Sequence, residues 1–139
     1  MKTPSPQITL SAVDNPFGPV GTANYVLLTT FRANGTGVGT PVWAALDGGK
    51  LYVWTVTDSW KVKRLRRNRE LTLQPCSVSG KPRGAVIRGT GVVLDEQGSS
   101  RARDLIKRKY GVMGRLTIMG SLLRRGRTGT VGIEITAAE

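Results

Sequence analysis

One stretch, Leu51 to Asn68, constrains this chain more than any other: Leu-Tyr-Val-Trp-Thr-Val-Thr-Asp-Ser-Trp-Lys-Val-Lys-Arg-Leu-Arg-Arg-Asn. Its first six residues read as a strand, with Leu51, Val53 and Thr55 on one face and Tyr52, Trp54 and Val56 on the other. Three good N-cap residue types follow, Thr57, Asp58 and Ser59, and then a short cationic helix. A helix start offers unpaired N–H groups and partial positive charge, to which Lys61 and Lys63 add full charges. The helix dipole favours acids at that end, so cations there suit an anionic guest. A solvated basic helix explains them equally well on spacing alone.

At 139 residues the chain fits one domain that can bury a core without disulfides or metals. Cys76 is the single cysteine and there is no histidine, so no metal site is expected and histidine-based triads are excluded. Cys76 itself reads as a buried strand thiol rather than a nucleophile. Any chemistry must come from something other than an imidazole, and a borrowed cofactor is the natural candidate. Lys and Arg number 21 against 9 acids, a formal +12, which calls for a polyanionic partner or surface. No zinc knuckle or aromatic RNA-binding motif accompanies that charge, so nucleic acid is not the expected partner. The first 24 residues carry four prolines and lack the apolar run of a signal peptide. No stretch reaches membrane-spanning length, and a cytoplasmic protein without an integral membrane segment is expected.

Along the chain, residues 1–24 read as an extended arm and 25–139 as the cofactor-binding domain. Tyr25 to Phe31 is a strand, and Asn34-Gly35 turns it into a second, about Thr36 to Leu46. Pro41 marks that second strand as an edge or a bulge. After Asp47-Gly48-Gly49 comes the organising stretch, then strands at Leu71 to Ser77 and about Gly84 to Leu94. Gly98-Ser99-Ser100 should cap a helix from Arg101 to about Tyr110, ended by Gly111. A basic amphipathic helix from Met113 to Arg125 should follow, with Leu116, Met119, Leu122 and Leu123 on one stripe. Such a helix can lie on a membrane surface, but more often covers a sheet or a dimer partner. Thr130 to Ile135 is a last strand. Short strands in hairpin order, many glycines and little helix predict a mainly β (α+β) fold, a six-stranded antiparallel Greek-key-like barrel with two or three flanking helices.

Gly39-Thr-Pro-Val-Trp43, Leu51-Tyr-Val-Trp-Thr55, Ser59-Trp-Lys-Val-Lys-Arg-Leu-Arg-Arg-Asn68, and Pro75-Cys76 followed by Gly80-Lys-Pro-Arg-Gly84 occur in a telling order. With them the chain resembles the flavin-reductase-like split-barrel superfamily that includes pyridoxamine phosphate oxidase. It is more closely similar to the actinobacterial branch described as PPOX-class F420-dependent enzymes. The resemblance implies a split β-barrel homodimer with the cofactor at the dimer interface. It implies that Thr40, Pro41 and Val42 line a deazaflavin ring, and that Thr55, Val56 and Thr57 flank the ring and ribityl chain. Ser59, Lys61 and Lys63 match the phosphate-binding segment, with Arg64 beside them on the same basic helix. Gln74, Pro75 and Arg83 carry over from neighbouring strands. Trp60 departs from flavin-binding relatives, which often have Arg between the serine and the lysine, and its uncharged ring cannot replace a bidentate phosphate ligand.

The resulting expectation is an oxidoreductase that passes a hydride from reduced coenzyme F420 to a small organic acceptor. Flavin mononucleotide on the same fold, and a non-catalytic F420-binding or storage protein, are the alternatives. F420 is itself polyanionic, which suits the cluster Lys61, Lys63, Arg64, Arg66, Arg67 and Arg69. No catalytic residue and no substrate can be named from the sequence.

Overall fold

A computed structural model describes residues 15–126 and 128–138 of the chain. Ten elements follow in order. They are α1 (Pro19–Thr22), β1 (Val26–Phe31), β2 (Gly37–Val42), β3 (Ala44–Asp47), β4 (Lys50–Val56), α2 (Trp60–Arg67), β5 (Glu70–Pro75), β6 (Ile87–Val93), α3 (Glu96–Arg125) and β7 (Thr130–Ala137). The strands form one seven-stranded sheet in the order β2-β1-β5-β6-β7-β4-β3. Every pairing in it is antiparallel.

The count of seven rather than six has a single cause, Trp43. The strand expected across residues 36–46 breaks there: β2 pairs with β1, whereas β3 pairs with β4 at the other end of the sheet. Because one residue joins the two sheet edges, the sheet must curl until they meet. The fold is a split barrel, and its seam lies at residues 42–44. Pro41 sits on the edge strand, as expected. Arg32 N–H donates to Thr36 O at 2.9 Å, and bonded pairs alternate from there. Leu27 and Pro41 therefore face each other at a non-bonded position, with the ring nitrogen on the open edge.

Both faces of β4 are covered, which explains its near-continuous run of large side chains. Leu51 and Val53 enter the barrel core with Val26, Leu28, Leu71, Leu73, Ile133 and Ile135. Leu65 of α2 joins them, as do Phe17 and Val20, each 1 % exposed. Tyr52 and Trp54, on the other face, pack under α3 with Ala102, Leu105, Ile106 and Ile118. Helix α3 can lie close because β7 carries Gly132 beneath it: a Cβ there would stand 2.6 Å from Ala102 Cβ. The Gly132 N–H also donates to Ser99 Oγ at 2.9 Å. Of the expected arm, residues 1–14 lie outside the described residues; residues 15–24 hold α1 and its buried anchors.

Two helical expectations need correction. Helix α3 starts at Glu96, not Arg101, because Asp95 is the cap and its carboxylate accepts from Gly98 N–H at 2.8 Å. Gly111 does interrupt the helix, with φ 62°, so 96–110 and 112–125 are two stretches meeting at a kink. A side chain there would be strained, and glycine is what allows the change of direction. The anticipated apolar stripe splits between two faces. Leu122 packs inward with Ile118, whereas Leu116, Met119 and Leu123 are 67 %, 57 % and 89 % exposed.

Candidate cofactor site at the barrel seam

Where the chain leaves β2 for β3, it meets the end of β4 and the start of α2. There Pro41, Val42, Trp43, Trp54, Thr55, Val56, Lys61, Thr117 and Thr130 line a cavity of about 310 Å³. That volume lies at the lower end of ligand sites, roughly 300–1,000 Å³, and suits one ring system rather than a whole nucleotide. Five of the residues singled out in the sequence converge on it: Pro41, Val42, Thr55, Val56 and Lys61.

The polar groups around this cavity are unusually short of partners. Trp54 Nε1 and Thr130 Oγ1 are buried without a hydrogen bond. Thr40, expected to line the ring, pairs instead with the core residue Leu28 and is not among the lining residues. An unpaired buried polar atom costs about 1–3 kcal/mol, so two beside one cavity are a sizeable liability for structure alone. Lys61 adds a charge at the cavity's edge. Burial, and then the nearby Arg64 guanidinium, push its ammonium below the ordinary lysine value. Hydroxyl and indole donors around an apolar slot, with a lysine at one end, fit a planar ring with polar edges and an anionic arm.

The other singled-out residues have local duties. Ser59 caps α2, its Oγ accepting from Val62 N–H at 3.4 Å. Thr57 Oγ1 donates to Thr128 O at 2.7 Å, which ties the β4–α2 turn to the approach to β7. Lys63 points elsewhere, its Nζ 4.6 Å from the Trp60 ring centroid. Arg64 lines a different cavity, on the far side of α2. Gln74 Nε2 donates to Gly84 O at 2.8 Å and Arg83 N–H to Pro75 O at 2.8 Å, so these three residues brace the β5–β6 connection. A Cβ on Gly80, at its tip, would be 3.8 Å from the Pro41 ring. That group therefore flanks Pro41 without lining the seam cavity. Cys76 is buried, and burial raises its thiol pKa, which keeps it an unreactive thiol.

Sequence reasoning missed four lining residues. Trp43 and Trp54 lay inside quoted motifs without being assigned a role. Thr117 and Thr130 come from distant elements and left no local signal. Trp43 is held by an offset stack on Tyr110, with ring centroids 4.4 Å apart and planes within 7°. Burial holds the Tyr110 phenol up at about 12, so it stays protonated and donates to Asn24 O at 2.7 Å. The same oxygen accepts from Ala44 N–H at 3.2 Å, and Lys109 Nζ donates to Ala23 O and Ala44 O at 2.7 and 2.6 Å. This latch fixes the wall of the cavity from α3. Tyr110→Phe keeps the stack and removes both hydroxyl bonds; it should cost about 1–3 kcal/mol in urea unfolding. A loss near zero would mean that water replaces the hydroxyl at no cost.

The family model described as pyridoxamine 5'-phosphate oxidase matches residues 19–139. The chain belongs to this family. No curated protein matches it in sequence. Among solved structures, a conserved hypothetical protein from Mycobacterium tuberculosis superposes with a TM-score of 0.64 at 20% identity, over 86% of this chain and 76% of that one. A FAD-binding protein from Mesorhizobium loti gives 0.60 at 21% identity, over 94% and 91%. A protein described as an F420 reductase gives 0.56 at 18% identity, over 86% and 91%. At such identities the likeness concerns the fold. This pyridoxamine 5'-phosphate oxidase family member therefore shares the split-barrel fold of these structures. No helix among its described residues is long and apolar enough to cross a membrane.

Proposed function

We propose that this chain is an F420-dependent oxidoreductase, cytoplasmic and homodimeric, with the seam cavity as the ring end of its cofactor site. The observation that carries the reading is the convergence of Pro41, Val42, Thr55, Val56 and Lys61 on one cavity ringed by unpartnered polar atoms. When bound, the reduced deazaflavin would supply a hydride for a small organic acceptor. The chain's share is to bind, orient and exclude water. Pro41 and Val42, at the bend, form one apolar wall; Thr55 and Val56 form the other. Trp54 Nε1 and the Thr130 hydroxyl are the groups left to meet polar ring atoms. Lys61 is placed to hold an anionic arm, with the Ser59-capped helix behind it. No residue is assigned as proton donor.

Support for a second copy comes from the outer face of α3. Val112, Met113, Leu116, Met119 and Leu123 are 57–89 % exposed there, on the stretch that also carries the cavity residue Thr117. A face of this kind is normally covered. A homodimer should scatter light at about twice 15.0 kDa.

Titrating the purified protein side by side with oxidised F420 and flavin mononucleotide tests the assignment. Ring insertion beside the lining residues Trp43 and Trp54 should quench their emission, and F420 should be the tighter ligand. Flavin mononucleotide binding more tightly would transfer the assignment to a flavin enzyme, a reading favoured by the family description and the FAD-binding neighbour. Tight F420 binding, with no acceptor in a broad panel oxidising its reduced form, would indicate a storage protein. Quenching by neither removes the cofactor reading.

A further inference from the structure

Helix α2 has a second cavity on its other side, about 340 Å³, lined by Arg32, Ala33, Trp60, Arg64 and Arg67. It shares no lining residue with the seam cavity. Three guanidiniums meet there, one from the β1–β2 turn and two from successive turns of the helix. Two are fixed in place: Arg64 Nε donates to Thr30 Oγ1 at 2.7 Å, and Arg67 Nη2 donates to Phe31 O at 2.7 Å. These bonds hold the groups while leaving most of their N–H donors unspent. Among the described residues no ion pair joins a carboxylate to any of the three; Arg101 pairs with Asp47 and Lys107 with Asp104. Arg64 is pushed down from its ordinary pKa by burial and then by the charges of Arg32 and Arg67, so the cluster strains against itself. Trp60, 69 % exposed, forms an open aromatic wall beside it.

We propose that this cavity is a binding site for a compact polyanion, a ligand carrying at least two phosphate or carboxylate groups, gripped by Arg32, Arg64 and Arg67 against the Trp60 ring. Planar guanidiniums in a fixed fork suit bidentate oxyanions, and a concave arrangement lets several of them grip one ligand. Dispersed surface charge would explain a net +12 but not three uncompensated guanidiniums around one hollow.

The test is calorimetric titration of the full chain, without cofactor, using sodium tripolyphosphate and, separately, a triglutamate peptide at low salt. One saturable site per chain is expected for at least one of them, and the tighter of the two names phosphate or carboxylate as the source. Arg32→Gln/Arg67→Gln should weaken it by about tenfold or more. Arg88→Gln/Arg124→Gln removes the same charge from exposed positions elsewhere and should change affinity by less than about twofold. Arg32→Gln alone, on an exposed turn, guards against a folding defect and should still weaken binding by about threefold. Absence of saturable binding by both probes, or equal losses in the two double variants, would overturn the proposal. Because cofactor is absent throughout, failure here leaves the seam-cavity assignment standing, and failure of that assignment leaves this site standing.

Discussion

Lys61→Ala is expected to weaken cofactor binding by about 1–3 kcal/mol, a loss of roughly five- to 150-fold in affinity, while the fold stays intact. Among the described residues, Lys61 is the one cation lining the seam cavity. Neighbours on the same helix do not compensate, since Lys63 lies over Trp60 and Arg64 faces the second cavity. Folded Lys61 binds its proton less readily than unfolded Lys61, because burial and then Arg64 lower its pKa from the ordinary 10.5. Its stabilising contribution is thus present above the unfolded pKa and lost as pH falls through the depressed folded value. At neutral pH the side chain works against stability. Lys61→Met should consequently melt no lower than the parent protein near pH 7 while binding cofactor poorly. Unchanged affinity in titrations of Lys61→Ala would remove this lysine from the site. A clear drop in melting temperature for Lys61→Met would show that the ammonium stabilises the fold.

Ile133→Ala should cost about 2–5 kcal/mol in urea unfolding, the largest stability effect anticipated here. Ile133 is fully buried on β7, opposite Val53 of β4 and Val93 of β6. That strand is central in the sheet, with α3 on its outer face through Gly132. Its neighbours are ladder-bonded strands that cannot collapse into a void, so both the lost transfer energy and the cavity term apply. Val78→Ala provides the contrast: at 66 % exposure, in the β5–β6 connection and away from the α3 face, it should change unfolding by less than about 0.5 kcal/mol. Similar costs for the two substitutions would mean that Ile133 does not sit in the barrel core as described.

How much of this could be read from the chain depends on how locally each feature is encoded. The β4–α2 stretch was legible because its alternation, its Ser59 cap and its cationic helix lie within eighteen consecutive residues. Pro41 was legible as an edge residue for the same reason. The break at Trp43 was not: nothing in Gly39-Thr-Pro-Val-Trp43 says that one strand will serve both edges of a curled sheet. That is a property of closure, decided by the pairing of β2 with β1 and of β3 with β4. Asp95 was overlooked as a cap because Gly98-Ser99-Ser100 offers a denser run of cap-type residues; Ser99 instead turns inward to bond Gly132. Thr117 and Thr130 reach the seam cavity from elements far along the chain. No window of sequence contains both them and Lys61. The basic helix was recognised as amphipathic, yet which of its leucines would face the core depended on the kink at Gly111.

The position of the cofactor ring decides the assignment, and a crystal structure of the protein grown with oxidised F420 measures it directly. The ring should lie in the seam, touching Pro41, Val42, Thr55 and Val56, with Lys61 within about 3 Å of an anionic oxygen. A ring bound on any other surface, with the seam cavity filled by side chains of this chain or its partner, would contradict it.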